Sequence, residues 1–259
     1  MAVRHPPSSA TRVLHATELA VPYNNVSNLY VFNGERPNPR FGGDCLYQAY
    51  LFGERFRAAV SGVPVRFHNS EGEGTSGHIV PITGDEDERQ AFEVTQLATQ
   101  PIALADIRGR ANEKKIRTFP LPPNGDRTLS CFWLPQMDQL NMSMISGCEG
   151  GLLHHRIATD SPIQLPGSSH PIDDTMVRMP RRPLRLHALD ADFGKVAVTL
   201  DPVDDSMTVH IVGADTYHSG SRAFEDALRH VATVLGVQRA QLLEFFHEGG
   251  RMERKLQGL

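Results

Sequence analysis

The chain has 259 residues, enough for one large domain or two to three smaller ones with a sizeable core. It is 40% hydrophobic and 22% charged, as globular proteins are, and its net charge of -4 with scattered Lys and Arg argues against a nucleic-acid partner. No run of about 18 apolar residues is present, so no membrane span is expected, and "MAVRHPPSSATR" lacks the apolar middle of a signal peptide, so the expected location is cytoplasmic.

The first eleven residues, with two prolines and two serines, read as disordered. "TRVLHATELAV" (11–21) starts a short helix, which Pro22 ends. "NNVSNLYVFNG" (24–34) has no clean period. From Cys45 onward, Cys45, Ala49, Phe52, Phe56 and Ala59 recur at steps of four and three, one stripe of a helix of about four turns. "VPVRFHN" (63–69), "HIVPIT" (78–83) and "AFEVTQLA" (91–98) read as strands, the last two forming a hairpin around the acidic turn Asp85–Glu88. Short strand candidates follow at 128–135, 155–160 and 185–190. The Pro- and Gly-rich loops between them favour a barrel or sandwich. "PRRPLR" (180–185) is a local basic cluster interrupted by proline. "KVAVTLD" (195–201) and "SMTVHIVG" (206–213) pair as a hairpin. "GSRAFEDALRHVATVLGV" (220–237) is an amphipathic helix capped by Ser221 or Ser219, and "RAQLLEFFHEGG" (239–250) is a short helix ending at its glycine pair. A helix, many strands and a closing strand-and-helix unit make an α+β chain.

The three cysteines, Cys45, Cys131 and Cys148, are odd in number and not spaced as metal ligands, so neither a disulfide framework nor a metal site is expected. The adjacent pair His154 and His155 points to opposite faces of a strand and is a poor joint ligand set. Neither HExxH, a Walker loop nor GxGxxG occurs.

Cys45 is the most informative of the three. It opens its helix behind Gly42 and Gly43, where unsatisfied N–H groups and the helix dipole favour a thiolate and could hold an oxyanion. Inert core cysteines arise at such junctions too. A nucleophile also needs a base and an orienting acid. His78 opens one strand of the hairpin and Glu93 lies fifteen positions on, so pairing about the acidic turn would set them side by side.

Two segments carry a family resemblance. "LHATELAVPYNN" (14–25) and "RFGGDCLYQAYLF" (40–52) resemble, in the right order, the segments of arylamine N-acetyltransferases that precede and contain the nucleophile. His78 and Glu93 then fall in the places of that family's catalytic histidine and aspartate. The resemblance covers roughly positions 14 to 110, and the rest only in outline. It implies a papain-like cysteine transferase fold: a reduced N-terminal helical part (1–62), a central β-barrel (63–190) and a C-terminal α/β lid (191–259). It also implies a Cys45–His78–Glu93 triad and ping-pong acyl transfer. The donor would be an acyl-CoA or acyl-carrier-protein thioester, the acceptor a small-molecule amine, with no permanently bound cofactor. Some relatives are amide synthases of natural-product pathways. Phe41, Tyr47 and Tyr23 are expected near the acyl pocket, though Phe41 and Tyr47 suit a core equally well.

The sequence departs from the family at three points. Leu46 and Tyr47 follow the cysteine instead of an aromatic and a glutamate. The acid is Glu93 rather than an aspartate. The glycine-rich stretch after the acid, which helps bind coenzyme A in several members, is here "VTQLATQ" (94–100), a poor phosphate nest. A specialised, carrier-bound donor therefore fits better than acetyl-coenzyme A with a simple arylamine. Hydrolysis through the same triad and a non-catalytic acyl- or partner-binding relative remain the alternatives.

Overall fold

A computed structural model describes residues 8–71, 78–85, 88–120, 128–145, 152–165 and 183–258. Cys148, Arg181, Arg182, the centre of the acidic turn and most of the long loop after position 165 lie outside these residues. The chain divides into two compact units. One comprises residues 1–18, 49–118 and 127–165, and the other 19–48, 119–126 and 166–259.

The first unit is built on an eight-stranded antiparallel sheet. Its strands are β2 (Val65–Glu71), β3 (Ile79–Thr83), β4 (Gln90–Ala91), β5 (Ile102–Ala103), β6 (Lys114–Arg117), β7 (Thr128–Leu134), β8 (Gln139–Ile145) and β9 (Leu152–Ala158). Their order is β5-β4-β3-β2-β9-β8-β7-β6. The sheet curls until its two edges nearly meet: Ala98 bridges Thr118, and Thr99 N–H donates to Arg117 O at 2.9 Å. That near-closure shields edges that would otherwise template aggregation. Strand alternation fills the interior. Leu129, Cys131 and Trp133 of β7 and Leu140, Met142 and Met144 of β8 are buried with Val80, Ile82 and Ile157. Helix α1 (Ser9–Ala20) and the later turns of α3 (Cys45–Ala59) share a smaller cluster, in which Val13 and Leu14 join Phe52, Phe56 and Phe92. The helical stripe expected for α3 is buried as far as Phe56, but Ala59 in the last turn is exposed.

The second unit holds a five-stranded antiparallel sheet, β1 (Tyr23–Asn24), β10 (Leu184–Leu189), β11 (Lys195–Leu200), β12 (Met207–Ile211) and β13 (Thr216–His218), in chain order. The segment 185–190, expected among the barrel strands, belongs here instead: all six residues of β10 pair with β11, and Tyr23 and Asn24 pair with its other edge. Helices α4 (Arg222–Leu235) and α5 (Arg239–Gln257) belong to this unit as well. Ser221 caps α4 as expected, its Oγ accepting from Phe224 N–H at 3.1 Å, and Gly236 closes the helix in the left-handed region. Phe224, Ala227, Leu228, Val231, Ala232 and Leu235 form its buried face, while Val234 is only partly covered.

Two further differences from the sequence reading have local causes. Residues 27–32 form a short helix, α2 (Ser27–Phe32), whose first N–H is bound by the Asn24 side chain at 2.6 Å. Helix α5 does not end at Gly249 and Gly250 but runs on to Gln257, with Gly258 in the left-handed cap. The glycines serve close approach, because a Cβ on Gly249 would sit 2.5 Å from Val26 Cγ1 and one on Gly250 2.9 Å from Leu200 Cδ2. Among the described residues, no helix is long and apolar enough to cross a membrane.

Candidate active site

Helix α3 begins at Cys45, the first-turn position the sequence assigns to it. Asp44 is its cap: Oδ1 accepts from Tyr47 N–H at 3.0 Å, and Oδ2 accepts from Asn28 Nδ2 at 2.8 Å. The glycine pair before it lies against the "VPYNN" turn. Gly42 has φ +70°, and a Cβ there would stand 1.9 Å from Pro22 O. Gly43 N–H donates to Pro22 O at 3.2 Å, and Asn24 N–H donates to Gly43 O at 2.8 Å. Asn24 Nδ2 donates to Phe41 O at 2.6 Å, and Ser27 Oγ donates to Gly42 O at 3.1 Å. The two segments that carry the family resemblance are thus stitched together, and the loop leading into Cys45 is held by buried amides. Cys45 is itself buried, and among the described residues it forms no disulfide.

The expected pocket residues lie on the same elements but differ in setting. Phe41 stacks on Phe245 at 4.1 Å within the core of the second unit. Tyr47 is buried over Gly43, whose added Cβ would meet the Tyr47 side chain at 2.7 Å. Tyr23 is half-buried and stacks on His187 at 4.7 Å.

In the first unit, His78 and Glu93 come together. His78 Nε2 and Glu93 Oε2 are 2.7 Å apart, with both side chains buried. The hairpin that joins them is real, with Ile82 opposite Ala91 and Thr83 opposite Gln90, but β4 is only two residues long. Glu93 therefore sits in the turn beyond β4, not on a strand. Its other oxygen, Oε1, accepts from Gln96 N–H at 3.2 Å, and that helical-type turn aims the carboxylate at the imidazole.

Three residues around this pair escaped the sequence reading. Ser70 lies opposite His78, its N–H donating to His78 O at 2.7 Å while its Oγ accepts from His78 N–H at 3.2 Å. His155 of β9 stacks on His78 with ring centroids 4.4 Å apart, and its Nδ1 is 3.2 Å from Ser70 Oγ. Burial, then the neighbouring His78, hold the His155 pKa down to about 4. Glu18 of α1 is buried, with neither oxygen hydrogen-bonded among the described residues, and burial followed by the charge of Glu93 pushes its pKa well above the usual carboxylate value. Only the "HH" of "LLHHR" was a visible signal. The structure buries His155 and leaves His154 partly exposed, the opposite-face arrangement expected of a strand.

Cys131 is a core thiol of the barrel, and burial first, then Glu93 and Glu113, push its pKa far upward, which leaves it a poor nucleophile. Among the described residues no group of His, Cys, Asp and Glu could hold a metal ion.

No protein-family model matches the chain, and no curated protein sequence matches it. Solved structures do. The arylamine N-acetyltransferase of M. smegmatis superposes with a TM-score of 0.57 at 15% identity, over 98% of this chain and 95% of that one. The arylamine N-acetyltransferase of Mycobacterium abscessus gives 0.55 at 14% identity over 95% and 91%. That of Salmonella typhimurium gives 0.54 at 15% identity over 94% and 100%. The α+β architecture, with its barrel-like sheet and C-terminal helices, is the arylamine N-acetyltransferase fold.

Proposed function

We propose that the chain is a cysteine-dependent acyltransferase that forms an acyl thioester on Cys45 and passes the acyl group to an amine. The observation that carries this reading is the buried His78–Glu93 hydrogen bond at 2.7 Å, in a chain of this fold whose α3 opens on Cys45. Glu93 occupies His78 Nε2, which leaves Nδ1 as the nitrogen for proton exchange.

In the first half-reaction His78 takes the Cys45 proton and the thiolate attacks the donor carbonyl. The donor C–S bond breaks as the Cys45 thioester forms, and the departing thiolate takes the proton from His78. In the second half-reaction the amine nitrogen attacks the Cys45 thioester while His78 accepts its proton. The C–N bond forms, and the Cys45 sulfur leaves and is reprotonated. Glu93 holds the ring orientation and stabilises imidazolium in both halves.

The donor proposed is a specialised acyl thioester, on coenzyme A or on a carrier protein, in a natural-product amide synthesis. The turn after Glu93 supports this. Gln96 N–H goes to Glu93 Oε1, Leu97 N–H to Val94 O and Ala98 N–H to Glu93 O, so these amides bind their own turn rather than a phosphate. Val94 and Leu97 are buried as well.

The test is intact-mass measurement after exposure to a panel of acyl thioesters, on coenzyme A and on phosphopantetheinylated carrier protein. An acyl adduct present in the wild type and absent in Cys45→Ala is expected. Absence of any adduct across the panel overturns the reading. Release of the acyl group by water at a rate indifferent to added amine makes the protein a hydrolase instead.

A further inference from the structure

We propose that Ser70 and His155 are positioning residues for His78, the hydroxyl fixing its backbone and the second imidazole fixing its ring. This inference rests on the acyltransferase reading for its purpose but not for its geometry.

Strand register creates the arrangement. In the β2–β9 pairing Ser70 lies opposite Ile157, so His155, two residues along, shares the face of Ser70 as its diagonal neighbour. On its other edge β2 pairs with β3, with Asn69 opposite Ile79, and this brings Ser70 opposite His78. One hydroxyl is therefore shared between the His78 main chain and the His155 ring, each at 3.2 Å. His155 then lies across the His78 ring at an interplanar angle of 29°. His78 is held on three sides: by Glu93 at Nε2, by Ser70 at its N–H, and by His155 against its face.

Such a partner must stay uncharged, because a second cation 4.4 Å away would oppose imidazolium formation at His78. Among the described residues, the charged and titratable groups facing His155 are His78, Glu93 and His154; its own burial, followed by His78 and with a smaller push from His154, outweighs the opposing charge of Glu93 and keeps it neutral through the neutral pH range. Burial first, and then the charge of Glu93, also raise the pKa of Glu18 and of Cys131, so both favour the uncharged form beside this cluster. A neutral aromatic face also attracts a cation, so the ring favours the protonated His78 that the reaction requires.

The test uses the full chain and two readouts. The first is the downfield proton resonance of the His78–Glu93 hydrogen bond, assigned by its loss in Glu93→Gln. The second is the single-turnover rate of Cys45 acylation. Ser70→Ala and His155→Ala are expected to broaden or lose the resonance, and to slow acylation roughly tenfold to a hundredfold. Ser70→Thr should restore the resonance, and His155→Phe, which keeps the aromatic face, should restore it in part. If His155→Ala does not fold, Ser70→Ala and Ser70→Thr decide the matter, since one small hydroxyl is all that changes. An unchanged resonance and rate in Ser70→Ala and in a folded His155 variant overturn the proposal. A resonance that responds as expected in a protein that no thioester acylates sustains the positioning role and overturns the acyltransferase reading alone.

Discussion

Glu93 binds the His78 ring through one carboxylate oxygen and its own turn through the other, so the acid that orients the imidazole is itself oriented by the backbone. If Glu93 stabilises imidazolium as proposed, Glu93→Gln, which keeps the shape but loses the charge, should slow acylation of Cys45 by roughly a hundredfold or more. Glu93→Asp retracts the carboxylate by one methylene from a partner at 2.7 Å and should also slow it, by a smaller factor. Single-turnover acylation rates, with circular dichroism to confirm folding, measure both. A Glu93→Asp protein that is acylated faster than wild type would mean that the turn does not set the distance.

The approach to Cys45 is fixed by contacts that tolerate no added atom. Gly42→Ala places a Cβ 1.9 Å from Pro22 O at a backbone angle that only glycine adopts easily. It should destabilise the protein by about 1 to 3 kcal/mol and slow alkylation or acylation of Cys45 as the loop moves. Asp44→Ala removes the cap of α3 and leaves Asn28 Nδ2 without its carboxylate, a loss of about 1 to 3 kcal/mol, whereas Asp44→Asn keeps an acceptor for Tyr47 N–H and should lose less. Urea midpoints at constant m-value read these differences.

What the sequence disclosed and what it hid follow from the range of the interactions. Helix α3, the Ser221 cap and the β3–β4 hairpin are written in residues a few positions apart, where period and capping chemistry are visible. The pairing of Tyr23 with His187 joins residues more than 160 positions apart, and nothing local in "RLHALD" tells which sheet it enters. Helix α2 is too short to show a period and leans on a distant contact, the stacking of Tyr30 on Phe245. Gly249 and Gly250 have the composition of a helix stop, yet their reason is the close approach of Val26 and Leu200. At the site, His78 and Glu93 were legible because one turn relates them. Ser70 and His155 were not, because their meeting depends on a strand register that no spacing encodes.

Glu18 should make the protein less stable as the pH rises. The folded state holds the Glu18 proton to a higher pH than the unfolded chain does, so above about pH 4.3, the ordinary glutamate pKa, folding takes up a proton and stability falls with pH. Glu18→Gln is uncharged in both states. Its stability relative to wild type should therefore rise from about pH 4.3 upward until the folded-state carboxyl ionises, with no such pH-dependent gain below that pH. Urea denaturation of both proteins between pH 4 and 8 tests this. A stability difference that does not vary with pH would mean that Glu18 is ionised in the fold.

His155 works in the opposite direction. Its pKa is about 4 in the folded protein against an ordinary value of about 6.5, so the fold favours the neutral ring. The stability linked to this is complete above about pH 6.5 and is lost as the pH falls from there towards 4, where the folded ring protonates too. The full loss is on the order of 3 kcal/mol, a large share of what a domain has to spare. His155→Phe fills the site with an aromatic ring that cannot protonate, so its urea midpoint should fall less than that of the wild type between pH 6.5 and 4, the window set by this shift. Parallel acid profiles for the two proteins would show that His155 takes up its proton without strain and that the cluster around His78 is open to water.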